Sequence, residues 1–322
     1  MKAPDRELVH SAAVPLIARI LPTEGPCPPI AGPRTVGGAV ASVQMRSTAL
    51  VLTAIVSVQS GAAVATELFA ELGPVGTVML RLAFSAVVLV ALWRPSLRAL
   101  RGGGARDTVL FGLALAGMNT SFYLALDRIP LGIAVTLEFV GPLAVAFLGS
   151  RQRSDLAWAA MAALGILLLA PVPGGEIDAG GSALALLAGA FWAAYIVLSQ
   201  RVGQAFPGGS GLAIAMTIAA LLVLPAGIVD AGANLIEPEL LAAGFAVAML
   251  SSAIPYSIEL EALRRLPRGV FGVLMSLEPA VAAGIGFVLL DQGLAARELV
   301  AIGFVVAASA GALRSAPPPV EA

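Results

Sequence analysis

PLGIAVTLEFVGPLAVAFLG, residues 130–149, runs for twenty residues with a single charge and no alternation of polar and apolar side chains. At about 1.5 Å of rise per residue, a helix of this length covers about 30 Å, the thickness of a bilayer's hydrocarbon core. Strict period-two alternation, the mark of a membrane β-barrel, is missing. A backbone in lipid must satisfy its own hydrogen bonds, so the stretch reads as a transmembrane helix.

Nine further stretches read the same way. The expected spans are 48–66, 73–93, 108–126, 130–149, 155–171, 181–200, 211–229, 240–262, 270–290 and 297–314. Hydrophobic residues make up 58% of the chain and charged residues only 12%, a balance that a water-soluble protein of 322 residues does not show. The fold class is therefore all-α: a polytopic membrane protein with ten transmembrane helices.

Basic residues decide the orientation. Sixteen of them fall in the N-terminal segment, in alternate gaps (Arg94, Arg98, Arg101 and Arg106 among them) and at the C-terminal end, whereas the other gaps hold only Arg128 and Arg297. Those other gaps carry acids instead, such as Glu67, Glu71, Asp178 and Asp230. The positive-inside rule places both termini in the cytoplasm, in agreement with an even number of spans.

Composition also bounds the chemistry. Net charge is −1, which gives no electrostatic basis for a nucleic-acid partner. A single cysteine, Cys27, excludes an internal disulfide framework and a multi-cysteine metal site. The only histidine, His10, precedes the first span, so no Ser-His-Asp or Cys-His device lies within the membrane body. No phosphate-cradling glycine loop is present. Enzyme activity, a cofactor and a metal are not expected. The triplet Asn119-Thr120-Ser121 lies within an apolar span, beyond the reach of a glycosyl transferase.

Sliding the chain on itself by 137 residues lays ALDRIPLG at 125–132 on ALRRLPRG at 262–269, and Pro142 on Pro279. Span four then corresponds to span nine. Five helices per half is an odd number, so the halves enter the membrane from opposite sides, as inverted repeats do in many secondary transporters. The expected domains are 45–173 and 174–314, each a five-helix repeat, with a cytoplasmic tail at 315–322. Residues 1–44, dotted with proline, read as a disordered cytoplasmic tail or as sequence upstream of a start at Met45.

Charges within spans are costly in lipid, about 3 kcal/mol or more at the centre, and so face a cavity or a partner. Arg81 and Glu138 each lie eight residues from the outer end of their spans, and Glu278 eight from the cytoplasmic end of its own. Each is thus about 12 Å deep, and the two carboxylates flank the midplane about 6 Å apart in height. That arrangement suits a cavity for the ammonium of an amino acid, or for a proton. The alternatives are an interhelical salt bridge or a buried neutral carboxyl. For Arg81, a structural tie to Glu138, Glu67 or Glu71 is favoured over contact with a substrate carboxylate.

Pro142 and Pro279 follow the two glutamates, and Pro255 precedes Tyr256. Each proline removes a backbone donor and frees a carbonyl one turn back, which makes a kink that serves as ligand site, hinge or plain structural bend. Tyr256 and Glu259 share a helix face, although Glu259 also has Arg264 and Arg265 as candidate partners. Asn119 and Tyr123 in span three, with Trp192 and Tyr195 in span six, supply the polar and aromatic lining an amphipathic solute needs. Aromatic residues also anchor membrane interfaces without any ligand.

GIAVTLEFVGPLAVA at 132–146, IPYSIE at 254–259, VQSGA at 58–62, GMN at 117–119 and FGVLMSLEPA at 271–280, with Arg268 before it, closely resemble the threonine/homoserine exporter branch of the EamA (drug/metabolite transporter) family. The likeness covers about residues 48–314. It implies a ten-helix inner-membrane fold of two EamA repeats. It further implies export of amino acids such as threonine and homoserine, driven by the proton gradient through alternating access. The implied partners are a small amino acid, protons and the lipid bilayer. Efflux of other metabolites or cationic drugs, or a non-transporting scaffold or sensor, are the competing expectations.

Overall fold

A computed structural model describes residues 33–96, 104–148, 153–168, 177–256, 258 and 274–315, and no strand occurs among them. The chain divides into two units, Met1–Val43 and Gln44–Ala322, and the second holds the helical bundle.

The helices, in chain order, are α1 (Pro33–Glu67), α2 (Phe69–Trp93), α3 (Ala105–Leu126), α4 (Leu131–Glu138), α5 (Val140–Leu148), α6 (Arg153–Leu168), α7 (Ala179–Ala205), α8 (Ser210–Ala231), α9 (Pro238–Ala248), α10 (Glu278–Leu290) and α11 (Ala296–Ser315). Among the described residues, six segments are long and apolar enough to cross a membrane: Thr48–Glu67, Phe69–Trp93, Ala105–Leu126, Ala179–Ala205, Ser210–Ile236 and Pro238–Tyr256. Leu131–Val145 and Glu278–Leu290 are shorter apolar helices.

Two spans depart from the single helices expected of them. Span four is broken at Phe139, between α4 and α5, and span nine turns at 276–277 before α10 begins. Each break begins three residues ahead of a proline, Pro142 or Pro279, whose ring and missing N–H disfavour the helix running through it. A third irregularity is the single π turn Met249–Ala253 that follows α9. It lies just ahead of Pro255.

The bundle is inside-out relative to a soluble protein. Large apolar side chains stand outward: Val87 is 66% exposed, Leu221 62% and Val288 70%. Gln59, Arg81, Asn119, Glu138, Ser251, Ser252 and Glu278 are buried within. Hydrocarbon accepts the former face, and only protein or enclosed water accepts the latter.

Helix α2 packs along α8, α3 lies against α7 and α8, α4 meets α7 and α10, and α6 pairs with α11. Small residues permit the closest crossing. A Cβ built on Gly141 of α5 would collide with the backbone oxygen of Gly189 on α7, and one on Gly189 would lie 2.5 Å from the Glu138 carbonyl oxygen. Tight backbone contact of this kind is how membrane helices associate without a hydrophobic drive between them. Near the start of α2, Gly73 adopts φ +67, and Asp230 of α8 accepts hydrogen bonds from Val75 N at 2.8 Å and Gly76 N at 3.1 Å. That carboxylate satisfies donors the first turn leaves open.

Candidate functional site

The helix breaks deliver the charged residues. In span four the chain stops being helical directly after Glu138, and Pro142 cannot supply the N–H that would pair with the Glu138 carbonyl. In span nine Glu278 is the first residue of α10, with Pro279 beside it, so its carboxyl stands at the positive end of the helix dipole.

Arg81 is held from three directions. Its Nε donates to Ser252 Oγ at 2.9 Å, Nη1 to the Tyr123 hydroxyl at 3.0 Å and Nη2 to the Ser251 carbonyl at 2.9 Å. The guanidinium carbon also lies 5.2 Å from the Tyr123 ring centroid, within cation–π range. A guanidinium has five N–H donors, so this clasp leaves donors over for the cavity. The hydrogen bonds that fix Arg81 go to neutral oxygens delivered by the π turn and by Tyr123, while Glu138, one of the acids favoured from sequence, acts on it through charge. Glu71 accepts instead from Asn234, whose Nδ2 also donates to the Glu71 carbonyl at 2.8 Å.

Glu278 Oε1 accepts from Gln59 Nε2 at 3.0 Å. Asn119 directs its own Nδ2 to the Leu115 carbonyl at 2.8 Å. Trp192 stands edge-on to Phe139 at the span-four break, with ring centroids 5.4 Å apart, and Tyr195 stacks obliquely on Phe111.

These residues converge. A cavity of about 80 Å³ is lined by Arg81, Asn119, Glu138, Trp192, Tyr195, Tyr256 and Glu278. Val58, Met118, Phe122 and Met275 complete its wall. Seven of the nine residues singled out from sequence therefore meet around one space. Tyr123 sits behind Arg81 as its hydrogen-bond partner, and Glu259 lies outside the described residues. Of the three kink prolines, Pro255 and Pro279 are buried and Pro142 is half-buried. Among the described residues no cluster of three or more His, Cys, Asp or Glu is arranged to hold a metal ion.

Sequence reasoning missed Gln59 and the bonding of Ser251 and Ser252 to Arg81. A lone amide in span one was visible, but its partner is remote in sequence. With two carboxylates and one guanidinium on a small shared wall, the cavity offers complementary contacts to both ends of a zwitterion.

The EamA-like transporter family matches residues 179–314. The threonine/homoserine exporter RhtA of Escherichia coli (strain K12) is 44% identical over 264 residues, which cover 81% of this chain and 89% of the exporter. RhtA of Salmonella typhimurium (strain LT2) is similar to the same extent: 44% identity over 264 residues, 81% of this chain and 89% of that one. A solved crystal structure superposes with a TM-score of 0.60 at 20% identity, over 83% of this chain and 96% of that chain, a likeness of fold alone.

Proposed function

This chain belongs to the EamA-like transporter family, and from that premise we propose that it exports small amino acids of the threonine and homoserine type across the inner membrane. Its cavity is the observation that carries the reading. Glu138 and Glu278 receive the ammonium group, and the donors left over on Arg81 receive the carboxylate. Charge-assisted hydrogen bonds of this kind are short and strong once water is excluded. The similarity to the two RhtA exporters supports the choice of cargo.

Size supports it too. Pockets for drug-sized ligands run to about 300–1,000 Å³, whereas this one measures about 80 Å³. The ring of Trp192, Tyr195 and Tyr256 beside two acids also fits an organic cation, the second reading. Arg81 on the same wall repels a cargo that is only cationic.

The ten spans act as two inverted five-helix repeats that open the cavity alternately to either side. The pattern of helix contacts supports this arrangement. Under a shift of five spans, the pairs α2·α8, α4·α10 and α6·α11 map onto themselves, and α3·α8 maps onto α9·α2. The breaks at Phe139 and at 276 stand at the same offset of 137 residues and serve as hinges. Protons moving inward drive the cargo outward, with both termini in the cytoplasm.

Cells overproducing the protein are expected to survive high homoserine or threonine and to release labelled threonine faster than cells producing the double variant Glu138→Gln/Glu278→Gln. Equal release from both strains contradicts the proposal.

A further inference from the structure

We propose that Gln59 is a positioning residue that senses the proton on Glu278 and closes a second hydrogen bond between α1 and α10 when that proton is present. The proposal rests on the proposed proton-driven export and adds to it that Glu278, on the cavity wall, carries the coupled proton.

Gln59 is 2% exposed and donates from Nε2 to Glu278 Oε1 at 3.0 Å. The two atoms left over on this same pair, Gln59 Oε1 and Glu278 Oε2, are both buried and have no hydrogen-bond partner among the described residues. An amide oxygen only accepts, and so does an ionised carboxylate. Two orphaned acceptors on one bonded pair are therefore a costly arrangement. One proton resolves both. Carried on Glu278 Oε2, it is donated to Gln59 Oε1 while the amide donates to Oε1, and two planar groups close a fork of two hydrogen bonds. Without it a single bond remains and both buried oxygens stay without a partner among the described residues.

The O–H bond on Glu278 forms with a proton from water on the outer side and breaks as that proton passes to water on the cytoplasmic side. The carboxyl alternates between neutral and singly negative, and no electrons are exchanged. The other charged and titratable groups on the cavity are Arg81 of α2, Glu138 of α4, Tyr195 of α7 and Tyr256. Helix α11, which also packs on α10, carries Arg297 and Glu298 in its first turn, where Glu298 accepts from its own Ala295 N at 2.8 Å. Gln59 is the group shown hydrogen-bonded to the Glu278 carboxyl. The arrangement makes one of the two hydrogen bonds between α1 and α10 depend on one proton, while the apolar packing of Val51 and Ile55 on Val281 persists.

The test uses the full chain in proteoliposomes with Gln59→Leu, Gln59→Asn and Glu278→Gln. Infrared spectroscopy reads the C=O stretch of a protonated carboxyl, assigned by its loss in Glu278→Gln. Labelled threonine reads exchange at equal pH and accumulation driven by a pH gradient. Gln59→Leu is expected to move the band to higher frequency and to lower the ratio of gradient-driven to exchange transport by about tenfold, the scale of one buried hydrogen bond. Gln59→Asn, which keeps the amide on a shorter stem, is expected to lie between; it carries the same readings should Gln59→Leu fail to assemble. A band and a ratio unchanged in both variants overturn the role of Gln59, as does the absence of any Glu278-dependent band across the pH range. A band that responds to Gln59 in a protein that moves no threonine upholds the pairing and overturns the cargo instead.

Discussion

Arg81 Nη2 stands 2.9 Å from the carbonyl oxygen of Ser251, the oxygen that an α-helix would pair with the N–H of residue 255. Residue 255 is proline and has no such donor. The Pro255 kink and the buried arginine are thus two parts of one device. The kink exposes an acceptor deep in the bundle, and the arginine takes it without needing an acid of its own. The three hydrogen bonds of this clasp use neither Glu138 nor Glu278.

Arg81→Ala therefore strands the Ser251 carbonyl and the Tyr123 hydroxyl. The expected loss of stability is about 3 kcal/mol, from buried groups left without partners. Pro255→Ala returns a helical donor to Ser251, so the double variant is expected to lose about 1 kcal/mol less than the two single changes together. Thermal unfolding of the four proteins in detergent measures the coupling; strict additivity contradicts it.

Gly189 has room for no side chain, because a Cβ there would lie 2.5 Å from the Glu138 carbonyl oxygen. Gly189→Leu is expected to push α7 off the span-four break, cost about 1–3 kcal/mol through overpacking and abolish threonine export. Export assays on membranes with matched protein levels read the outcome. Near-normal export would mean that the break does not set the position of Glu138.

Asp230 provides a contrast remote from the cavity. It accepts from Val75 N and Gly76 N at the start of α2. Asp230→Ala is expected to lower stability by about 1 kcal/mol, as loss of a cap does, while threonine export stays near that of the parent protein. A collapse of export without loss of stability would assign Asp230 to transport.

Much of the fold was legible because the bilayer imposes a length. Twenty apolar residues can do little but cross it as a helix. The prolines told where spans four and nine bend, but not that each break would begin three residues earlier, at Phe139 and 276. Glu138 and Glu278 stood out because lipid rejects charge. Arg81 stood out equally, yet the hydrogen bonds that hold it were not foreseen. Charge pairing pointed to acids, whereas the π turn at Met249–Ala253, which has no sequence signature beyond Pro255, supplies neutral oxygens. Gln59 was the least legible. A neutral amide costs less in a span than a charge, and its meaning appears only when folding brings Glu278 to it from 219 residues away.

Cargo size follows from the cavity of about 80 Å³. Threonine and homoserine are expected to compete with each other for export from loaded vesicles, and bulky cationic dyes to leave both rates unchanged. Dye efflux that survives in Arg81→Gln and is blocked by neither amino acid would favour the drug-carrier reading.

Ligand-induced stabilisation of the purified protein bears most directly on the central claim, that Glu138 and Glu278 together bind an amino acid within the bundle. At a threonine concentration about a hundredfold above the dissociation constant, binding to the folded state adds about 2.7 kcal/mol and raises Tm. That rise is expected in the parent protein and is expected to vanish in Glu138→Gln/Glu278→Gln. A rise of equal size in both proteins, or none in either with threonine or homoserine, contradicts the account.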